Sequence, residues 1–238
     1  MTPDSPQFNP ELTKDRWVAC FDLLGIRSLV NNGNLFQVFC AYADAQKEAK
    51  PKRLGQVRVF WFSDSFFFYT GDSSKSHFWV LESVSRWFCH FLVLKQIPVR
   101  GAISYGAMYA DPVHSLFFGQ PLIEAYDYAE AQNWIGFILT PSVVGRLREL
   151  GIRPDERINY AYWQIPFKES FGAKELPLKE QRLPACLFAG ATAPSTSRDF
   201  CLKQLASMRE AAGTKHAVKY DNTIDFLNRN IRHVVEQS

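Results

Sequence analysis

Cysteine is scarce in this chain and carries no pattern: Cys20, Cys40, Cys89, Cys186 and Cys201 form an odd set without C-x-x-C spacing. That argues against a disulfide framework and a thiolate zinc site, and the five read as small buried hydrophobes in a reducing compartment. The histidines (His77, His90, His114, His216 and His233) fall in no H-x-H or H-E-x-x-H arrangement, so they build no zinc centre. A G-x-S-x-G elbow is missing, and so is a GKS or GKT phosphate loop. No apolar run reaches bilayer length. The most apolar stretch, Phe78 to Leu94, carries Glu82, Arg86 and His90, whereas a span needs about 20 mostly apolar residues. The opening MTPDSPQFNPEL has acid and proline where a secretory leader has a basic and then an apolar region. A cytoplasmic protein without a membrane partner is expected. Excess charge of one sign is also lacking. The 27 Lys+Arg against 24 Asp+Glu leave +3, too little for a protein that coats nucleic acid, and none is expected as a partner.

Aromatic residues are what the chain has in quantity: 20 Phe, 9 Tyr and 6 Trp in 238 residues, beside 21% charged residues. This composition excludes intrinsic disorder and supports one large core. Residues 1–13, with Pro3, Pro6 and Pro10, read as a loose lead-in. WVACFD (Trp17 to Asp22) reads as a buried strand ending on a carboxylate, followed by a helical pattern from Arg27 to Ala49 that PKRLG (Pro51 to Gly55) breaks. Val57 to Phe62 and Phe66 to Thr70 are the arms of an aromatic hairpin with Ser63-Asp64-Ser65 at its tip. Both arms are almost uniformly apolar, so both faces should be covered, by helices or by a partner subunit. A helix follows over Ser76 to Lys95, a strand over Val99 to Tyr109, a connection over Asp111 to His114, and a helix over Gln120 to Gln132. Ile135 to Leu139 is a strand and Ser142 to Leu150 a helix. Tyr160 to Ile165 and Ala185 to Phe188 are strands flanking a polar segment, Lys168 to Arg182, read as a mobile loop. Thr196 to Ala212 and Ala217 to Glu236 are terminal helices. This order predicts an α+β fold of ferredoxin-like type, an antiparallel-rich sheet with helices on one face. The main domain runs over 14–190 and a C-terminal helical extension over 191–238, which either adds a dimer surface or covers a sheet edge.

Two aspartates stand in apolar company, Asp22 after WVACF and Asp64 within VRVFWFSDSFFFYT. An ionised carboxylate is costly to desolvate without a partner. Taken singly, an Asp after a strand is most often a helix N-cap, and SDS is most often only a turn. If the first strand lies beside the hairpin, the two carboxylates converge, and their repulsion is relieved by a cation such as Mg²⁺ or Mn²⁺ shared with phosphate oxygens. Leu23, Leu24 and Gly25 lead straight into a helix, where outward backbone N–H groups suit a polyphosphate. Glu124 and Asp127 share a helix face but read as solvated.

FDLLGI (Phe21 to Ile26) resembles the first metal-binding motif of class III nucleotidyl cyclases, and FSDSFFFY (Phe62 to Tyr69) resembles their hairpin motif with the second metal aspartate. VRGAISYG (Val99 to Gly106) resembles the following strand, and FFGQPLIEAYDYAEAQNWIGFILTPSV (Phe117 to Val143) the glycine–helix–strand segment after it. The motifs occur in order over residues 17–145. Within the superfamily, the G-x-x-L-x-E-A-Y helix (Gly119 to Tyr126) and the WIGF strand start are most similar to the pyrimidine cyclases of bacterial antiphage Pycsar systems.

The resemblance implies a class III cyclase catalytic domain that turns a nucleoside triphosphate into a 3′,5′-cyclic monophosphate and pyrophosphate. Asp22 and Asp64 would hold two divalent metal ions, with the Leu23 carbonyl as a further ligand, and the N–H groups of Leu24, Gly25 and Ile26 would cradle phosphates. A homodimer with sites at the interface and a downstream effector sensing the cyclic nucleotide are implied as well. The chain departs from the family where purines are read: the adenylate cyclase lysine falls on Phe60 and the adenine-binding aspartate on Leu116. A pocket crowded by Phe60, Trp61 and Phe62 favours a pyrimidine, UTP first and CTP second. The transition-state asparagine and arginine fall on Ile123 and Asp127. Arg100 is the candidate replacement for phosphate binding or catalysis, unless it only pairs with a carboxylate such as Glu124. The rival readings are an inactive cyclase-like binding module and another two-metal phosphoryl-transfer enzyme.

Overall fold

The computed structural model of the protein describes residues 7–49, 56–154, 159–168, 182–189 and 195–235. Strand β1 (Thr13–Leu23) is an interior strand of the sheet, buried from Arg16 to Phe21. Trp17, Ala19, Phe21 and Leu23 join the main core on one face, while Val18 and Cys20 belong to small clusters on the other. A strand covered on both faces needs a continuous apolar run, and WVACF supplies one. After β1 come α1 (Ile26–Asn31), α2 (Leu35–Ala49), β2 (Val57–Phe62), β3 (Ser65–Thr70), α3 (Lys75–Leu94) and β4 (Val99–Asp111). The four strands stand in the order β2-β3-β1-β4 with all neighbours antiparallel. This is the split βαβ arrangement of ferredoxin-like folds.

The chain continues through β5 (Leu116–Gly119), α4 (Gln120–Ala131), β6 (Gly136–Leu139), α5 (Pro141–Glu149), β7 (Tyr160–Gln164), β8 (Arg182–Cys186), α6 (Ser195–Ala212) and α7 (Thr214–Val235). β6 runs parallel to β4, β8 and β7 extend the sheet beyond it, and β5 folds back on the end of β4.

Helix α3 presents Phe78, Leu81, Phe88, Cys89 and Leu92 to the sheet at helical spacing. The Phe21 ring meets Phe68, Phe88 and Phe137 edge-on at 5.8, 5.2 and 5.5 Å. Full burial of each such ring contributes about 1.5–3 kcal/mol. On the opposite face, Ala125 and Ala129 let α4 close onto Cys20. Helices therefore cover both faces of the sheet, not one, because α4 carries its own small-residue stripe. The C-terminal pair folds back on the same body: Cys201 and Leu205 of α6 join the main core, and Phe226 of α7 packs on Trp134 and Trp163.

Three local features differ from the sequence reading. The helix expected over 27–49 is two helices, since Gly33 sits at φ 73° and bonds back to the Val30 carbonyl. β4 runs on to Asp111, and the four-residue β5 was not foreseen because so short a run carries no periodicity. Gly119, at φ 152°, lets β5 lie so close to β4 that a Cβ there would stand 2.5 Å from the Ala107 carbonyl oxygen. In the lead-in, Phe8 stacks on Tyr109 at 5.3 Å, and a 3₁₀ turn spans Pro10–Leu12. The helix break at 51–55 and residues 169–181 of the expected mobile loop lie outside the described residues.

Candidate functional site

Pairing of β1 with β3 brings the two aspartates to the same end of the sheet. Asp22 stands opposite Ser65 on one side and Arg100 on the other. The hairpin turn is Ser63-Asp64, with Ser63 in the left-handed region at φ 54°. The Leu23 N–H donates to the Asp64 carbonyl at 2.9 Å and pins the turn against the end of β1. Leu23 itself is buried, its backbone lying directly beside Asp64.

Arg100 completes this corner. Its Nε and Nη2 donate to Asp22 Oδ2 at 2.9 and 2.6 Å, and its Nη1 donates to the Gln132 carbonyl at 3.1 Å. The guanidinium is buried, at 8% residue exposure. Its carboxylate partner is therefore Asp22 and not Glu124. Burial pushes the Asp22 carboxyl above its ordinary range, Arg100 pulls it back, and the Asp64 charge pushes it up again. A fixed cation thus offsets part of the repulsion between the aspartates.

The phosphate cradle expected from Leu24, Gly25 and Ile26 is narrower than read. The Leu24 N–H donates to the Pro98 carbonyl at 2.8 Å, a contact that a sequence cannot reveal. Gly25, at φ 84°, and Ile26 make no backbone hydrogen bond from their N–H groups among the described residues. α1 spans only six residues, so its dipole adds little and the two amides are what remains.

The aromatic residues divide. Phe60 is stacked between Phe67 at 4.9 Å and Phe117 at 4.1 Å, so it presents an edge and not a free face. Phe62, at the hairpin tip, is 82% exposed. Ile123 on α4 is exposed too, and Asp127 is half-buried.

Four residues of the corner were missed by the sequence reading. Tyr42 of α2 interacts with Ser63 and feels the charges of Asp64 and Asp22. Tyr126 of α4 feels the same two charges and that of Glu130. Burial raises both phenols. Tyr126 had a signal, since it ends the E-A-Y motif, whereas Tyr42 had none. Lys168 and Lys219 also act electrostatically on Asp22 and Arg100. They come from distant segments that share no motif with the site.

Among the described residues no group of three or more His, Cys, Asp or Glu side chains is poised to hold a metal. The protein's donor set is two carboxylates and a backbone carbonyl. Both Arg100 contacts fall on Asp22 Oδ2, and Oδ1 accepts no hydrogen bond among the described residues. That set fits Mg²⁺ or Mn²⁺, which bind through one or two carboxylates together with substrate phosphates. It does not fit a dedicated all-protein cage. Among the described residues no helix is long and apolar enough to cross a membrane.

No protein-family model and no curated protein matches the chain. Among solved structures it is similar to the catalytic core of a rhodopsin-guanylyl cyclase with converted specificity, in complex with ATPalphaS. That match has 12% identity and a TM-score of 0.49 over 72% of this chain and 93% of the other.

Proposed function

We propose that the protein is a nucleotidyl cyclase that converts a pyrimidine nucleoside triphosphate, UTP ahead of CTP, to the 3′,5′-cyclic monophosphate and pyrophosphate. The observation that carries this reading is the junction of Asp22 and Asp64 through the Leu23 amide, with Asp22 Oδ1 accepting no hydrogen bond among the described residues. Asp22, Asp64 and the Leu23 carbonyl would hold two divalent ions, which supply Lewis acidity at the ribose 3′-oxygen and neutralise the triphosphate.

The chain's own part is positioning. Arg100 holds Asp22 Oδ2 and leaves Oδ1 to a metal ion. The Gly25 and Ile26 amides, with Arg100, donate to phosphate oxygens. The O3′–Pα bond forms as the bond from Pα to the β-bridging oxygen breaks. Pyrophosphate leaves with that electron pair, and the 3′-hydroxyl proton passes to solvent. Phe62 and the edge of Phe60 give the base an apolar wall without a purine reader, which favours the smaller ring. Phe62 and Ile123 are exposed, and a second copy of the chain covering them would complete the site as a homodimer. By resemblance, the product is a second messenger of antiphage defence read by an effector protein.

A second reading, an inactive nucleotide-binding module, draws on Ile123 and Asp127 at the transition-state positions and on Arg100 already neutralising Asp22. One experiment separates the two. The four nucleoside triphosphates are incubated with Mn²⁺ and the wild type, Asp22→Ala or Asp64→Ala. Cyclic UMP from the wild type alone is expected. Product from ATP only, or none from UTP and CTP, overturns the proposal. Nucleotide binding without turnover favours the module.

A further inference from the structure

Lys219 lies on α7, a helix that contributes none of the metal- or phosphate-binding groups of the Asp22–Asp64 corner. The anchoring of α7 gives it a role. The Asn222 side-chain amide donates to the Asn133 carbonyl at 2.9 Å. The Ile135 N–H donates to the Thr223 hydroxyl at 2.7 Å, and that hydroxyl lies 2.9 Å from the Ile135 carbonyl. Residue 219 is one helical turn before Thr223, so it lies on the same side of α7. The backbone that α7 grips is the segment that also holds the corner of the site. Arg100 donates to the Gln132 carbonyl, and Gly136 is its partner in the β4–β6 register. The Lys168 N–H donates to the Ala131 carbonyl at 2.9 Å. Three cation-bearing segments therefore converge on residues 131–136.

Their charges act on one another. Lys168 and Lys219 are half-buried, and each has its pKa lowered first by burial and then by Arg100; of the carboxylates, Lys168 feels the Glu130 and Asp22 charges, whereas Lys219 feels that of Asp22 alone. Among the described residues no ion pair within 4 Å holds Lys219. A lysine half-withdrawn from water beside a guanidinium and a second lysine is costly unless an anion joins them. Asp22 is already engaged with Arg100.

We propose that Lys219 binds the distal phosphates of a polyphosphate substrate, so that the C-terminal helix supplies a phosphate subsite instead of merely covering a sheet edge. This assignment rests on the nucleotide-cyclase reading for its substrate but not for its anion.

The probe is inorganic tripolyphosphate, titrated calorimetrically into the full-length protein with and without Mn²⁺, alongside thermal unfolding and steady-state kinetics with UTP. Lys219→Gln is expected to weaken tripolyphosphate about tenfold or more, the loss of one charge-assisted hydrogen bond. Lys219→Arg should retain most of the affinity. Unliganded Lys219→Gln should melt no lower than wild type, because the substitution relieves like-charge repulsion, but should lose most of the stabilisation by tripolyphosphate. KM for UTP should rise with kcat little changed.

Equal tripolyphosphate affinity in wild type and Lys219→Gln overturns the assignment, and so does a lower melting point of the unliganded variant, which marks a structural lysine. If tripolyphosphate binds in a Lys219-dependent way while no nucleotide turns over, the cyclase reading fails and the phosphate site stands. If UTP turns over with the same KM in both proteins, the site fails and the cyclase reading stands.

Discussion

Arg100→Met tests whether the site corner is held electrostatically. The substitution keeps an unbranched stem in the apolar part of the strand but removes the only charge within salt-bridge distance of Asp22 among the described residues. Removing one partner of a buried pair costs about 3–5 kcal/mol because the other charge is left stranded. The Asp22 side chain keeps 16% of its surface exposed and that of Arg100 only 9%, so the lower end of that range, about 3 kcal/mol, is expected. In a chain of this length each kcal/mol moves Tm by about 2–4 °C, giving a fall of roughly 6–12 °C.

The loss should depend on pH in a defined direction. In the variant Asp22 is still buried and still repelled by Asp64, so its folded pKa rises further above the unfolded value. The penalty is therefore full at pH 8 and shrinks as the pH falls and the carboxyl takes up a proton. Adding Asp22→Asn to Arg100→Met should recover most of the loss, the coupling expected of contacting residues. Mn²⁺ at about 100 times its Kd should return about 2.7 kcal/mol if it takes the vacated place. Calorimetric unfolding of the wild type, Arg100→Met, Asp22→Asn and the double variant at pH 5.5 and 8 measures all of this. A single variant melting within about 1 °C of wild type, or a double variant no more stable than the single one, refutes the reasoning.

Three further outcomes follow from the packing. Glu82 is buried on α3, 3.2 Å from Arg86, and burial raises its pKa above the ordinary glutamate value. A raised carboxyl pKa gives stability that is full below the unfolded pKa and lost as pH rises through the folded one, so Glu82→Gln should flatten the acid-to-neutral stability profile seen in urea titrations. Gly101→Ala would place a Cβ 2.5 Å from a Phe21 ring carbon and 2.7 Å from the Cys20 carbonyl oxygen. Overpacking of this kind costs about 1–3 kcal/mol, read as a lower urea midpoint. Thr223→Val strands the buried Ile135 N–H, a loss of about 1–3 kcal/mol, and should speed hydrogen exchange at that amide while raising KM for UTP through the loosened α7.

The sequence alone determined the core strand WVACF, the phenylalanine hairpin, the long α3 and the strand–helix–hairpin–helix–strand order, because periodicity and turn residues are local properties. It also marked Asp22 and Asp64, since a carboxylate at the edge of an apolar run is conspicuous without any structure. Tertiary structure alone decided how their charges are met. Arg100 lies 78 residues from Asp22 in sequence and becomes its partner only through the β1–β4 register. The Leu24 amide looked free until Pro98 was brought against it, and Phe60 offers only its edge because Phe117 returns on β5 to cover its face. Lys168 and Lys219 are ordinary lysines in the sequence, and become part of a cationic corner only because α7 and the segment after β7 are tied to residues 131–135. Charge compensation depends on distance in space, and a one-dimensional pattern records distance only along the chain.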